Sequence, residues 1–381
     1  MDTRSLLLAA TMILPAVAFA DETAELKAEI AAMKAQLNSL ADTLDQQAST
    51  SATSGVSIGG YGEMHLNLAN GEDNEIDFHR FVLFFGKEFN ERTRFFSEFE
   101  LEHSIAGEGK NGGIELEQAF IEYDVADTTK VKGGLFLLPV GILNETHEPD
   151  TFYGVERNNV EKNIIPTTWG EGGVAVSGDI ADGVSYDVAV HSGLSLVKLD
   201  DDGLVSGYQS SIRKSRKKVA EAPANKAAYT ARIKYTAIPG LELAASMQYQ
   251  DDILQGAGER EIGARLLETH AVYQTGGFAL RALYAQWNLT TAINDITAGA
   301  SKQKGFYIEP SYRINNVGVF YRNSAWDTTA GDSIDSEVKR HDIGANYWLA
   351  PTVVVKADYY REKQDDDLIG TGYNLGMGYS F

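Results

Sequence analysis

The chain has 381 residues, no cysteine and a formal net charge of −21 at pH 7. The absence of cysteine excludes disulfides, thiolate metal sites and thiol nucleophiles, and the acidic balance disfavours nucleic-acid binding, which requires a basic face. The composition is 43% hydrophobic, too apolar for a disordered chain, and no later run reaches the ~18 apolar residues of a transmembrane helix.

Residues 1–20 are predicted to be a signal peptide. Arg4 supplies a basic start, an apolar run follows, and Ala18-Phe19-Ala20 fits the small-x-small pattern of a cleavage site. We therefore expect the mature chain to begin near Asp21, in an exported compartment.

Residues 21–48 are predicted to form a coiled-coil helix, and the Ser- and Thr-rich residues 49–54 a flexible linker. Three heptads are marginal alone, so we interpret the helix as a periplasmic oligomerisation element that a larger assembly supports. A single amphipathic helix on the mouth of the following domain is the alternative. The a/d seam, with steps of four and three, consists of Leu26, Ile30, Met33, Leu37, Leu40 and Leu44.

From Gly55 to the C-terminus, polar and apolar side chains alternate with a period of two, as in β-strands. For example, Leu243 and Met247 share one face of a segment, and Ser246 and Gln248 share the other. Short turns alternate with long connectors, which is typical of outer-membrane barrels. The long connectors are predicted at 69–74, 104–112, 139–170, 195–225, 251–261, 290–304, 324–336 and 362–370.

These features predict an all-β fold, a 16-stranded antiparallel transmembrane β-barrel over residues 55–381. The strand number is even, as closure requires in bacterial barrels, and a barrel of this size leaves a water-filled lumen. The last segment ends in Phe381, with Leu375, Met377 and Tyr379 on the same face, which resembles the terminal insertion signal of such barrels. We expect the Gram-negative outer membrane as the location, with lipid and lipopolysaccharide around the barrel.

The connector 139–170 is the most informative stretch of the chain. It lacks strand alternation and mixes aromatic residues with many charges. A connector of this length inside a compact domain is usually functional or disordered, and its aromatic content argues against disorder. We expect the connector to fold inward and to constrict the barrel.

Several segments resemble the phosphate-selective porin O and P family of Gram-negative outer membranes. The resemblance implies a trimeric sixteen-stranded porin whose third extracellular loop narrows the pore, with arginines and lysines that capture anions. The segments are DFHRFVLFFG at 77–86, FFSEFELEH at 95–103, LEQAFIEY at 116–123 and PVGILNETHEPDTFYGVERNNVEKNIIPTTWGEGG starting at Pro139.

The candidate pore residues carry both signs of charge. Lumen cations suit anion and phosphate pores, but carboxylates occupy the same strand faces and the connector. We therefore predict a general pore with a transverse field and leave its anion or cation preference open. The candidates are Glu145, His147, Glu148, Asp150, Arg157, Glu161 and Lys162 in the connector and Arg94, Glu98, Glu100, Arg232, Lys234 and Arg313 in the strands.

The expected function is passive diffusion of small hydrophilic solutes and ions across the outer membrane. We expect no enzymatic activity and no cofactor. We also expect no metal site, because the seven histidines show no ligand spacing such as H-E-x-x-H. Two alternatives stay open: an outer-membrane barrel enzyme, for which no Ser, Asp or His cluster is evident, and a structural envelope tether without an open channel.

Overall fold

The computed structural model describes residues 55–71, 73–200, 202, 204–209, 211–257, 261–290 and 299–381. The predicted signal peptide, coiled-coil helix and linker lie outside these residues. The compact unit Ser57–Phe381 contains the sheet except for its first residue, Val56. In the described part of the chain, no helix is both long and apolar enough to cross a membrane.

Sixteen antiparallel strands close into one barrel, which confirms the predicted fold. Each strand pairs with its neighbours along the chain, and closure joins the first strand to the last, with Leu66 opposite Leu375. The barrel strands are β1 (Val56–Ala69), β2 (Glu75–Asn90), β3 (Thr93–Glu102), β4 (Ile114–Ala126), β5 (Thr129–Leu137), β6 (Gly170–Ala181), β7 (Val184–His191), β8 (Ala228–Tyr235), β9 (Leu241–Gln250), β10 (Ala264–Thr275), β11 (Phe278–Leu289), β12 (Lys302–Ile314), β13 (Val317–Asp327), β14 (Val338–Ala350), β15 (Val353–Gln364) and β16 (Asp367–Ser380).

The burial of alternate side chains is inverted relative to a soluble protein. On β9, Leu243 and Met247 are 42% and 46% exposed, whereas Gln248 and Gln250 are fully buried. Soluble proteins bury their aliphatic side chains and expose their amides and charges. The barrel therefore has an apolar exterior and a polar interior.

The long connectors contain small elements of their own. Ala106–Gly107 pairs with Lys110–Asn111, and Val197–Leu199 pairs with Val205–Tyr208. A 3₁₀ helix, Ile212–Ser215, follows the second of these hairpins. These elements stay outside the barrel sheet.

The prediction of a long connector at 362–370 is wrong. β15 and β16 continue into this stretch, and only Asp365 and Asp366 separate them. Both residues have positive φ, 50° and 64°, as in the primed turns that match the twist of a hairpin. Aspartate tolerates this left-handed conformation better than most residues, so the acidic run forms a tight turn.

Residues 138–169 join β5 to β6 and are called the inner segment here. Its two ends are tied together, since Leu138 N donates to Trp169 O at 3.0 Å and Asn144 bonds the backbone of both residues. A single helical turn, Val160–Asn163, lies in its second half. Its buried apolar side chains pack with Phe136 and other wall residues in one core; they include Leu138, Val140, Val160, Ile164, Ile165 and Trp169.

Candidate functional site

The inner segment contacts strands on the far side of the barrel from its own ends. On β13, Arg322 Nη2 donates to Tyr153 O at 2.6 Å. On β15, Asp358 Oδ2 accepts a hydrogen bond from Val155 N at 2.7 Å. Because β5 and β6 lie across the closed sheet from β13 and β15, these bonds span the barrel interior.

Glu161 is the centre of the inner segment's own hydrogen bonding. Its Oε2 accepts from the backbone N–H groups of Ile142 and Leu143, at 2.8 and 2.7 Å, and its Oε1 accepts from the Tyr307 hydroxyl at 2.9 Å. Burial raises the pKa of this carboxyl, although those bonds oppose the shift. Glu161 is fully buried, so it holds the segment instead of facing open space.

A second buried group joins His147 of the inner segment to two wall carboxylates. His147 Nε2 lies 3.4 Å from Glu98 Oε1 on β3 and 3.5 Å from Glu117 Oε2 on β4. Burial alone would lower the pKa of His147, but the two carboxylates raise it to about 9. The surroundings of the imidazole therefore favour its protonated, positively charged form.

A third group joins Glu156 of the inner segment to His65 on β1. Glu156 Oε1 accepts from His65 Nδ1 at 3.0 Å. Burial would raise the pKa of Glu156, yet the bond and charge of His65 hold it well below its ordinary value. Nearby, Nε of Arg80 lies 2.6 Å from Oε1 of Glu63, and its Nη1 lies 3.7 Å from Oε1 of the buried Glu100.

A cavity of about 440 Å³, called the chamber here, lies between the inner segment and the short-turn ends of the wall strands. Arg232 Nη1 contacts Glu145 Oε2 at 2.5 Å, and its Nε donates to Asp187 at 2.8 Å. Lys234 lies 3.5 Å from Glu242. The lining side chains with charge are Glu145, Arg232, Lys234, Glu242 and Arg281.

Two predicted strand cations have partners of their own. Arg94 bonds Glu122 and Asp124 on the neighbouring strand, with Nε 2.7 Å from Glu122. The guanidinium of Arg313 stacks on the indole of Trp348, 3.9 Å from the ring centroid. Neither contact involves the inner segment.

The other candidates in the inner segment are dispersed. Asp150 accepts from Ser380 Oγ at 2.8 Å, and the Glu148 carbonyl accepts from the backbone of Thr151. Burial lowers the pKa of Lys162. The Nε and Nη2 atoms of Arg157 are buried and lack a hydrogen-bond partner among the described residues.

Sequence reasoning missed Arg281 of the chamber. Its strand, β11, carries Leu283, Ala285 and Trp287 on the same inward face, and all three are buried against the apolar part of the inner segment. This face therefore lacks the polar alternation that marks a lumen-facing strand. A lone arginine at the short-turn end of that apolar face was the available signal.

Solved structures that share this fold include porins and other outer-membrane proteins. The anion-selective porin from Comamonas acidovorans has a TM-score of 0.61 at 12% identity, with 86% of this chain and 99% of that chain covered. Salmonella typhi OmpF, in complex with daunomycin, has a TM-score of 0.59 at 15% identity, with 86% and 97% covered. A loop-deleted OmpT of Vibrio cholerae has a TM-score of 0.58 at 12% identity, with 86% and 99% covered. These identities support the fold alone.

No family model matches the chain. An uncharacterized protein of Aquifex aeolicus (strain VF5) is 32% identical over 347 residues, which cover 82% of this chain and 78% of that protein. The chain therefore belongs to the same protein family as this Aquifex aeolicus protein.

Proposed function

We propose that the chain is an outer-membrane channel through which small hydrophilic solutes and ions diffuse passively. The inverted burial of the strands carries this proposal, because an exposed apolar exterior is stable in lipid and a closed sheet leaves no unpaired edge there. A barrel of sixteen strands is also wide enough for an aqueous lumen. The fold shared with porins supports the same conclusion.

The inner segment is the proposed constriction of this channel, and the chamber is its proposed vestibule on the periplasmic side. Contacts with β8, β13 and β15 hold the segment across the interior. Solutes would pass beside Glu145 and Arg232, so these two side chains border the proposed path.

The chamber supports weak ion selectivity instead of the phosphate preference that the sequence resemblance implies. An anion filter needs cations free to replace the water around the ion. Here Arg232 is bonded to Glu145 and Asp187, Lys234 lies beside Glu242, and Arg281 donates to the backbone carbonyl of Thr151. Opposed charges of this kind produce a transverse field with little net potential.

The outer wall supports a homotrimer. An apolar groove of about 680 Å³ crosses β11 to β16, where the small Ala345 and Ala357 lie among Tyr321, Tyr359 and Tyr373. A similar structure, that of Vibrio cholerae OmpT, is described as a trimer form. The predicted helix at 21–48 would add a coiled-coil contact. Light scattering in mild detergent tests this assembly, and a monomeric mass for the full chain would contradict it.

Planar-bilayer recording tests the channel itself. We expect discrete conductance steps and a reversal potential near zero in a salt gradient. Arg232→Gln should shift the reversal potential toward cation preference, because it leaves Glu145 and Asp187 uncompensated. The control Arg265→Gln removes the same charge from an exposed position of β10 and should leave the potential unchanged.

The outcomes separate the parts of this proposal. A strong anion preference in the unmodified protein would contradict weak selectivity while keeping the channel. An absence of conductance steps would contradict the channel. Hydrolytic activity in detergent without conductance would instead favour the outer-membrane enzyme.

A further inference from the structure

We propose that Glu98, Glu117 and His147 form a binding site for one divalent transition-metal ion, of which Zn²⁺ is the model, and that this ion fastens the inner segment to the barrel wall. Glu98 and Glu117 are contributed by β3 and β4, and His147 by the inner segment. The inference is independent of the proposed channel function.

The distances from the imidazole nitrogen to the two carboxylate oxygens are those found between metal ligands. His147 Nε2 lies 3.4 Å from Glu98 Oε1 and 3.5 Å from Glu117 Oε2, and all three atoms lie within 4.8 Å of one another. Nitrogen and oxygen ligands about 2.1 Å from a tetrahedral Zn²⁺ are about 3.4 Å apart. The same separations exceed those of good hydrogen bonds, so the imidazole and the two carboxylates form only long ion-pair contacts.

The three donor atoms are also buried and unsatisfied. The exposed fractions of the residues Glu98, Glu117 and His147 are 2%, 5% and 2%. None of the three atoms has a hydrogen-bond partner in the described part of the protein. Leaving a buried polar atom unpaired is destabilising, and more so if the atom is charged. A shared cation would satisfy all three atoms at once.

The remaining polar atom of each ligand is held by a neighbour. The imidazole Nδ1 lies 3.3 Å from the carbonyl oxygen of Asn144, which fixes Nε2 as the free nitrogen. The second oxygen of Glu98, Oε2, accepts a hydrogen bond from Gln118 at 2.7 Å. The second oxygen of Glu117, Oε1, accepts one from Thr168 at 2.6 Å. Such outer partners orient the ligands of metal sites.

The donor set favours a transition metal over Ca²⁺. An imidazole with two carboxylates suits Zn²⁺ and its neighbours, whereas Ca²⁺ takes six to eight oxygens. Two carboxylates neutralise a divalent ion, which limits its repulsion by the nearby Arg157. The fourth position of a tetrahedral site would hold water.

The test uses the full mature protein in detergent, stripped with a chelator and titrated with Zn²⁺ or Co²⁺. We expect one ion per chain, a visible Co²⁺ spectrum typical of tetrahedral coordination, and an apparent unfolding temperature that rises when Zn²⁺ is restored. His147→Asn and Glu117→Gln should each weaken binding at least 100-fold. The measurement on the unmodified protein stands even where a variant folds poorly.

His103→Asn is the matched control, because His103 belongs to a separate, half-buried group with Asp77 and His79. It should leave the affinity and the Co²⁺ spectrum unchanged. The proposal is overturned if the stripped protein binds neither metal, if His147→Asn binds as tightly as the unmodified chain, or if only His103→Asn loses the ion. In those cases a protonated His147 between two carboxylates accounts for the group.

Discussion

The hydroxyl of Tyr307 donates a hydrogen bond to Oε1 of Glu161 over 2.9 Å, and this bond joins wall strand β12 to the inner segment. Both side chains are almost completely buried. The other oxygen of Glu161 accepts two backbone N–H groups of the same segment. A single carboxylate thus organises the fold of the segment and fixes it to the wall.

Replacing Tyr307 by Phe should destabilise the barrel by about 1–3 kcal/mol, because a buried acceptor loses one of its donors. The apparent unfolding temperature in detergent measures the effect. Tyr284→Phe is the control: the hydroxyl of this exposed tyrosine donates to Gln286, and its loss should change the temperature little. Equal effects in both variants would contradict the anchoring role of Tyr307.

Gly141 should tolerate no side chain. Its φ is +81°, and an added Cβ would lie 2.6 Å from Oε2 of Glu161. The left-handed conformation alone costs about 1–2 kcal/mol for alanine, and the clash adds to it. Gly256 has nearly the same φ, +78°, and a Cβ added there would have no atom within 4 Å. Gly256→Ala therefore measures the backbone cost alone. Gly141→Ala should therefore lower the unfolding temperature more than Gly256→Ala does, and equal losses would contradict the packing around Glu161.

Glu156 should make stability depend on pH in the acid range. Its folded pKa lies below the ordinary value, so the stability it contributes is complete above the unfolded pKa of about 4.3 and is lost as pH falls through the folded pKa. Glu156→Gln should lower the unfolding temperature at pH 7, and its difference from the unmodified protein should shrink toward pH 2. A difference that stays constant over this range would contradict the pairing with His65.

A disulfide should form between the inner segment and β16. An added Cβ at Gly376 would lie 2.9 Å from Cγ1 of Val155, which brings the two Cβ atoms into the range of a disulfide, about 3.5–4.5 Å. The native chain has no cysteine, so Val155→Cys with Gly376→Cys gives one possible intramolecular bond. Oxidation should consume both thiols without linking chains. Two free thiols after oxidation would contradict the position of the segment.

The fold could be predicted because its signals are local. Alternation along most strands and the short turns are visible in consecutive residues, and they predicted sixteen strands. The turn at Asp365 and Asp366 was misjudged because an acidic run is typical of loops, whereas aspartate also adopts positive φ.

The interior groups could not be predicted in the same way. Glu98, Glu117 and His147 come from three elements, and their side chains meet only through strand register and the path of the inner segment. No spacing along the chain encodes that meeting. Glu161 was predicted as a pore charge because its sequence neighbours are charged, but its four donors come from the folded segment and β12.

The most direct test of the account is single-channel recording from Glu145→Cys before and after reaction with a negatively charged methanethiosulfonate reagent. Glu145 borders the chamber, and the chain has no other thiol. We expect each conductance step to fall on reaction, while Tyr284→Cys, exposed on the outer face of β11, keeps its conductance. Modification of Glu145→Cys that leaves the conductance unchanged, or an absence of steps in either protein, would contradict a water-filled path beside the inner segment.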